Sequence, residues 1–263
     1  MSEVFTLLSK IAQAGSVDAV WDMSLGFFRD LGFARVNYGF TRFRTQKSIG
    51  DPDDALYLSS NTPDYARLYF RDGFYAKTPM FRWVTQNEGA CTWRWVQEAY
   101  DAGTLPPSEA EAVRTNIAMG VIAGISISFP EVSARSKGAM GLIANIGMTH
   151  DDVDRIWAVS GQEITAVANM MHLKITQLPL VTRRRALTER QREALEWVAN
   201  GKTTQDIAIL MEISTAMVEK HLRLAREALD VDTTAQAVAK AALLNTIFQR
   251  APSLNPAPLA DSA

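Results

Sequence analysis

The stretch from Leu187 to Val231 leaves less conformational freedom than any other part of this chain. Thr188 with Gln191, and Thr203 with Asp206, have the spacing of a capping box, in which a hydroxyl and a side chain three residues later satisfy each other's backbone N–H groups. Thr233 with Gln236 repeats the signal just beyond. Gly201 is placed to close the first helix, because glycine enters the left-handed conformation of a helix stop without a Cβ clash. Ile207, Leu210 and Ile213 supply core spacing for a second helix, and Trp197 reads as core of the first. Ser214 then caps a third helix, whose apolar residues Val218, Leu222, Ala225 and Leu229 recur along one helical face.

The opposite face of that third helix carries Thr215, Ala216, Glu219, Lys220, Arg223 and Arg226. Helix, short turn and helix with a cationic outer face is the helix-turn-helix arrangement, which sets N-terminal side chains of its second helix against base edges in the major groove. In that arrangement Arg223 is placed to pair with a guanine and Glu219 to accept from a cytosine amino group. Lys202, Thr203, Lys220 and Arg226 suit phosphates. A solvated helix face satisfies the same pattern, and periodicity does not choose between the two.

The 263 residues suffice for two domains. From Val181 onward 11 basic side chains face 10 acidic ones, and the rest of the chain has 16 against 19. Any contact with a nucleic acid must therefore come from a local patch, not from a basic domain. A single cysteine, Cys91, leaves no internal disulfide and no thiol cluster for zinc, and it reads as a small buried hydrophobe. No Ser/His/Asp, Cys/His, metal-spaced or phosphate-loop constellation is visible, and His150, His172 and His221 fall in unrelated segments; the expectation is no enzyme and no metal site. The opening MSEVFTLLSKIAQAG has neither a basic n-region nor a continuous apolar run, so no signal peptide is expected. The longest uncharged run, near residues 116–130, is short for a membrane span. The expected location is the cytoplasm.

Pattern along the first two thirds predicts helices near 3–14 and 17–31, the second broken at Gly32. Strands are expected at 34–43, 56–59, 124–129 and 139–146, with a turn around 131–137. Short helices are expected at 63–71 and 79–86, each with proline in its first turn, with further helices at 107–119 and 151–175. Helices on both sides of a small antiparallel sheet make the expected fold class α+β: an α/β/α sandwich over residues 1–176, a linker at 177–186, an all-α four-helix domain at 187–250 and a disordered tail at 251–263.

The segment LTERQREALEWVANGKTTQDIAILMEIS…VEKHLRLAREALDV resembles the LuxR-type helix-turn-helix domain, matching it at Glu193, Leu195, Ala199, Gly201, Lys202, Ile207, Ala208, Leu210, Ile213, Ser214, Val218, His221, Leu222, Leu229 and Val231. TTAQAVAKAALL fits that family's fourth helix, which carries the dimer contact. Glu212 stands where a glycine is usual, Met217 where a threonine is, and Ala228 where a lysine is. The first domain resembles the autoinducer-binding domain of quorum-sensing LuxR-type regulators, through PDYARLYFRDGFYAKTPM, Thr92–Trp93 and AMGVIAGISISFP. A phosphorylated receiver is not expected, since Asp51, Asp53 and Asp54 lie in a Pro/Gly loop.

The resemblance implies a regulator that binds double-stranded DNA as a homodimer on a pseudopalindromic operator and responds to an acyl-homoserine lactone or a related small signal, with no cofactor and no membrane partner. It assigns ligand contacts to Tyr65 (a tryptophan in the family, donating to the lactone carbonyl), Tyr69, Thr78 (the aspartate that accepts from the ligand amide) and Trp93. Loss of a charge-assisted bond at Thr78 costs on the order of 1–3 kcal/mol. A regulator with a non-lactone ligand, or with no ligand, is the alternative. On the strands, Tyr38, Phe40, Ile125 and Ile127 serve equally as cavity lining or closed core; Tyr38 and Ser126 are taken as ligand contacts. Tyr65 and Tyr69, four residues apart, also satisfy plain core packing, as does Trp93, and Thr78 before proline also fits a turn.

Overall fold

The computed structural model describes residues 3–45 and 48–249, and the chain divides into two compact units, Met1–Leu178 and Pro179–Ala263. The tail expected at 251–263 lies outside the described residues.

The first unit opens with helices α1 (Glu3–Gln13) and α2 (Val17–Asp30). Ser16 caps α2 by accepting from the Ala19 N–H. Gly32, at φ +96°, turns the chain into the first strand, as its position between helix and strand predicts. Strands β1 (Arg35–Thr41), β2 (Leu56–Ser59), β3 (Gly89–Thr92), β4 (Gly124–Ser128) and β5 (Lys137–Ile143) form one sheet in the order β2-β1-β5-β4-β3, every pair antiparallel. Between the strands run α3 (Pro63–Ala66), a wide helical turn at Arg67–Arg71, a 3-10 turn at Phe74–Lys77, α4 (Pro79–Gln86), α5 (Arg94–Asp101) and α6 (Pro107–Ala118). The unit closes with the 28-residue α7 (His150–Gln177), started by a capping box of Thr149 and Asp152.

Strand alternation sorts the sheet into two unlike faces. Val36, Tyr38, Phe40, Ile125, Ile127, Met140 and Leu142, each at most 3% exposed, point toward α7, which packs on α1 and α2. The residues between them are Asn37, Gly39, Thr41, Ser126, Ala139 and Gly141, and they face the α3–α6 side. Large side chains close one layer, while small ones leave space in the other. This is the expected helix–sheet–helix sandwich, with two elements added. The short edge strand β3 and helix α5 carry no strong period in sequence; β3 exists because β4 offers it a partner, Cys91 pairing with Ser126. The last strand also begins earlier than expected, at Lys137 inside the anticipated turn.

The second unit is helical: α8 (Glu189–Ala199), α9 (Thr204–Leu210), α10 (Thr215–Leu229) and α11 (Thr234–Leu243). The boxes at Thr188, Thr203 and Thr233 are each reciprocal, and Ser214 caps α10. Gly201 is left-handed, at φ +77°. Val218, Leu222, Ala225 and Leu229 are all buried. Two expectations are corrected. Leu210 is 45% exposed, because Ala208 and Met211 take the inward positions on α9. Trp197 is half-buried instead of lying in the core, and its buried indole N–H has no partner. Within the expected linker, residue 177 belongs to α7, the Leu180 N–H donates to the Leu244 carbonyl at 2.9 Å, and Arg184 pairs with Asp230 at 3.0 Å. Glu212 sits at φ +55°, so the turn keeps the left-handed geometry that glycine would adopt without strain.

Candidate ligand pocket and nucleic-acid interface

Above the small-residue face of the sheet lies a cavity of about 740 Å3, counting the part open to solvent. Its floor is Asn37, Gly39 and Thr41 of β1, Ser126 of β4, and Lys137, Ala139 and Gly141 of β5. Tyr57 of β2, paired with Gly39, completes the floor, and the roof is built from Tyr69, Phe70, Tyr75, Phe81 and Trp93, with Met80, Val84 and Thr85 of α4. A largely apolar enclosure with a few polar tips is the usual form of a small-molecule site.

Trp93 is held in place by two features of the floor. Its Nε1–H donates to Ser126 Oγ at 2.9 Å, and its ring lies where Gly124 would otherwise carry a Cβ, which would come within 2.8 Å of the ring and 2.3 Å of the Leu142 carbonyl oxygen. Ser126 therefore accepts from the indole, and its own proton has no acceptor among the described residues. The Asn37 carboxamide oxygen accepts from Ser59 Oγ at 2.7 Å and Asn61 Nδ2 at 2.9 Å, leaving its NH2 group as a donor for the cavity. Tyr69 stacks on Tyr65, centroids 5.6 Å apart. Burial pushes the Tyr69 phenol up to about 12, against the opposing pull of the Thr78 hydroxyl beside it. At neutral pH this phenol is a neutral hydrogen-bonding group. Among the described residues no Asp or Glu lines the cavity.

Of the six anticipated ligand contacts, the structure brings Tyr69, Trp93 and Ser126 together around the cavity. The other three are placed elsewhere. Tyr38 is on the opposite face of the sheet, fully buried, with its hydroxyl 2.9 Å from His172 Nδ1 on α7. Phe129 stacks on that imidazole at 4.1 Å, and Glu131 meets its Nε2 at 3.1 Å. Ile125 and Ile127 belong to the same closed layer. Tyr65 lies in an apolar cluster with Met80, Val96, Val113 and Ile143, behind Trp93, and its hydroxyl donates to Asn116 Oδ1 at 3.4 Å. Burial raises its phenol well above the ordinary range. Thr78, 1% exposed, is the N-cap of α4: its Oγ1 donates to the Tyr75 carbonyl at 2.8 Å and accepts from the Phe81 N–H at 3.2 Å. A threonine followed by proline at the first helical position is itself an N-cap signal. The lining residues Tyr57, Phe70, Tyr75, Phe81 and Lys137 were not anticipated. The aromatic density of residues 69–81 and the parity of the β5 residues were the signals available.

On α10 the expected outer face is exposed at Thr215, Ala216, Glu219, Lys220 and Arg223. Glu219 accepts from Thr204 Oγ1 at 3.0 Å, bracing α10 against α9. Arg223 pairs only with Glu227, one turn on, with both side chains over half exposed. Lys202 and Lys220 are exposed. Two anticipated phosphate contacts have internal duties. Arg226 is half-buried and donates to Thr234 Oγ1 at 2.9 Å, joining α10 to α11. Thr203 has its hydroxyl and its N–H committed to Asp206, whose carboxyl those bonds hold below its usual range.

A largely apolar cavity in one unit and a helix-turn-helix in the other define the class: a sensor coupled to a DNA-binding module. Comparison with known proteins agrees. Residues 16–175 match the family described as autoinducer binding domain, and residues 185–241 match bacterial regulatory proteins of the luxR family. The chain belongs to the LuxR family of quorum-sensing transcriptional regulators, with an autoinducer-binding domain followed by a DNA-binding domain. It is 30% identical over 221 residues to RpaR of Rhodopseudomonas palustris, an HTH-type quorum sensing-dependent transcriptional regulator, covering 80% of this chain and 83% of that protein. Its fold is shared with SdiA of Escherichia coli, at a TM-score of 0.50 and 15% identity, covering 94% of this chain and 98% of that one. The family is one of regulators, not of enzymes. Among the described residues no cluster of His, Cys, Asp or Glu suits a metal ion, and no helix is long and apolar enough to cross a membrane.

Proposed function

We propose that the first unit holds an acyl-homoserine lactone, or a small signal with the same pattern of acceptors, and that the occupied protein is a homodimer whose α10 helices enter successive major grooves of a pseudopalindromic duplex. The observation that carries this reading is the donor-rich lining of the cavity. Ser126 and Asn37 offer hydrogens, Tyr69 offers its phenol, and among the described residues of the lining no carboxylate competes for them. A lactone ring and an acyl amide present carbonyl oxygens, which need donors. The ligand acts as a signal and not as a catalytic cofactor. By preferring the DNA-competent state it shifts that state's population, and at 100 times its Kd it adds about 2.7 kcal/mol to the stability of the protein.

Two measurements test the proposal. Titration with N-octanoyl-homoserine lactone is expected to raise the melting temperature and tighten operator binding together. Mass spectrometry of ligand extracted from protein purified from its native host is expected to show a lactone. A different retained molecule would support the second reading, a non-lactone signal. That reading draws on Thr78, whose hydroxyl is committed to capping α4 and leaves a ligand amide N–H without the family's carboxylate. For the DNA side, Arg223→Ala is expected to weaken specific binding by about 1–3 kcal/mol and relax one base preference. An unchanged binding-site profile would remove Arg223 from the interface.

A further inference from the structure

Among the described residues Lys137 is the one cationic side chain in the lining of the cavity, and it sits at the end remote from Trp93. Lys137, Ala139 and Gly141 alternate onto the same face of β5; Gly141 pairs with Ser126 beneath Trp93, while Lys137 pairs with Thr41. At roughly 3.4 Å per residue, the two ends of that row are about 14 Å apart along the strand. The cavity is thus polar at both ends, with an aromatic and aliphatic middle.

The ammonium is poorly compensated for its burial. Lys137 is 9% exposed; its Nζ donates to Ser128 Oγ at 2.7 Å and to the Asn87 carbonyl at 3.4 Å, and its third proton has no acceptor among the described residues. The Glu88 and Glu131 carboxylates act on it only through space, without forming an ion pair, and Glu131 Oε1 lies 3.1 Å from His172 Nε2. Arg44 adds a second positive charge nearby, and burial with that charge lowers the lysine's pKa. A buried cation without a counter-ion is unfavourable, and an apolar side chain of the same length would fill the position at lower cost.

Resting on the reading that this cavity holds the signal, we propose that the signal carries an anionic oxygen, a carboxylate for example, at the end of its tail, and that the Lys137 ammonium is its partner. Lys137 is then a specificity residue: it selects an oxygen-terminated tail and disfavours a methyl-terminated one, which would leave the charge buried and unpaired. The Trp93 end binds the head group in either case.

The test compares N-octanoyl-homoserine lactone with the lactone of the same chain length whose terminal methyl is replaced by a carboxylate, by calorimetry on the full chain at neutral pH. The carboxylate-ended ligand is expected to bind at least about tenfold more tightly, as befits a charge-assisted bond in a buried site. Lys137→Met is expected to reverse the order, gaining affinity for the methyl-ended ligand while losing it for the other. Tighter binding of the methyl-ended ligand by the wild-type chain would overturn this inference and leave the proposed function standing. Binding of neither would remove the lactone reading and the inference with it. An equal loss for both ligands in Lys137→Met would show that Lys137 merely ties β5 to β4 and the Asn87 loop, and would also overturn it.

Discussion

The two faces of the five-stranded sheet are made by alternate residues of the same strands, yet one is closed core and the other is floor to a cavity. On the α7 side, Tyr38, Phe40, Ile125, Ile127, Met140 and Leu142 fill the layer, and Tyr38 and Phe129 gather around His172. On the other side Gly39, Ser126, Ala139 and Gly141 supply almost no volume, and the roof aromatics span the gap instead of filling it. The difference lies in side-chain size at one parity of the strand. Polarity contributes less, since each face contains buried hydrogen-bonding groups. A cavity has been made here by withholding volume from half of an ordinary sheet.

That contrast should be largest in stability. Phe129→Ala, which empties a fully packed position, is expected to cost about 3–5 kcal/mol. Phe81→Ala on the roof should cost much less, because Phe81 is only half-buried and already borders open space. Equal losses in denaturant melts would mean that the cavity side is as tightly packed as the other. Next in size is Gly124→Ala, where the new Cβ meets the Leu142 carbonyl and the Trp93 ring. A loss of roughly 1–3 kcal/mol is expected, accompanied by a change in Trp93 fluorescence and weaker ligand response; a silent substitution would show that the indole is not seated on Gly124. The smallest pair separates the faces by readout. Tyr38→Phe removes the bond to His172 and should lower stability by about 1 kcal/mol with ligand affinity unchanged. Ser126→Ala should instead weaken ligand binding about fivefold. If Tyr38→Phe alters affinity as much as Ser126→Ala does, the two faces are not functionally distinct.

The helical unit was legible to a degree that the sensor was not. Thr188, Thr203, Ser214 and Thr233 cap the helices they were expected to cap, because a capping box is a contact within four residues and needs nothing from the rest of the molecule. Leu210 shows the limit even there: Ile207 and Leu210 are both compatible with one stripe, and only packing against the other helices turns Met211 inward in its place. In the sensor, Tyr69 and Trp93 were recognised from family resemblance, and Ser126 was taken from its strand. Tyr38 was assigned to the cavity because a strand pattern reveals two alternating sets without revealing which set faces which layer. Thr78 was weighed as a ligand partner although its place before Pro79 also fits a cap. Lys137 was lost in an expected turn, since strand β5 begins there only through pairing with β1.

What the sequence determined by itself is what short-range chemistry can decide: helix starts at paired hydroxyl and acid or amide residues, stops at Gly32 and Gly201, the apolar stripe of α10, the two alternating sets within each strand, and membership of a family. Tertiary structure alone decided which face of the sheet is hollow, that Trp93 rests on Gly124 and binds Ser126, and that Lys137 closes the far end of the cavity. Those facts depend on residues 30 to 130 positions apart meeting across strand pairs and helix layers. The free energy of such meetings belongs to the packed whole and leaves no local periodicity from which to read it.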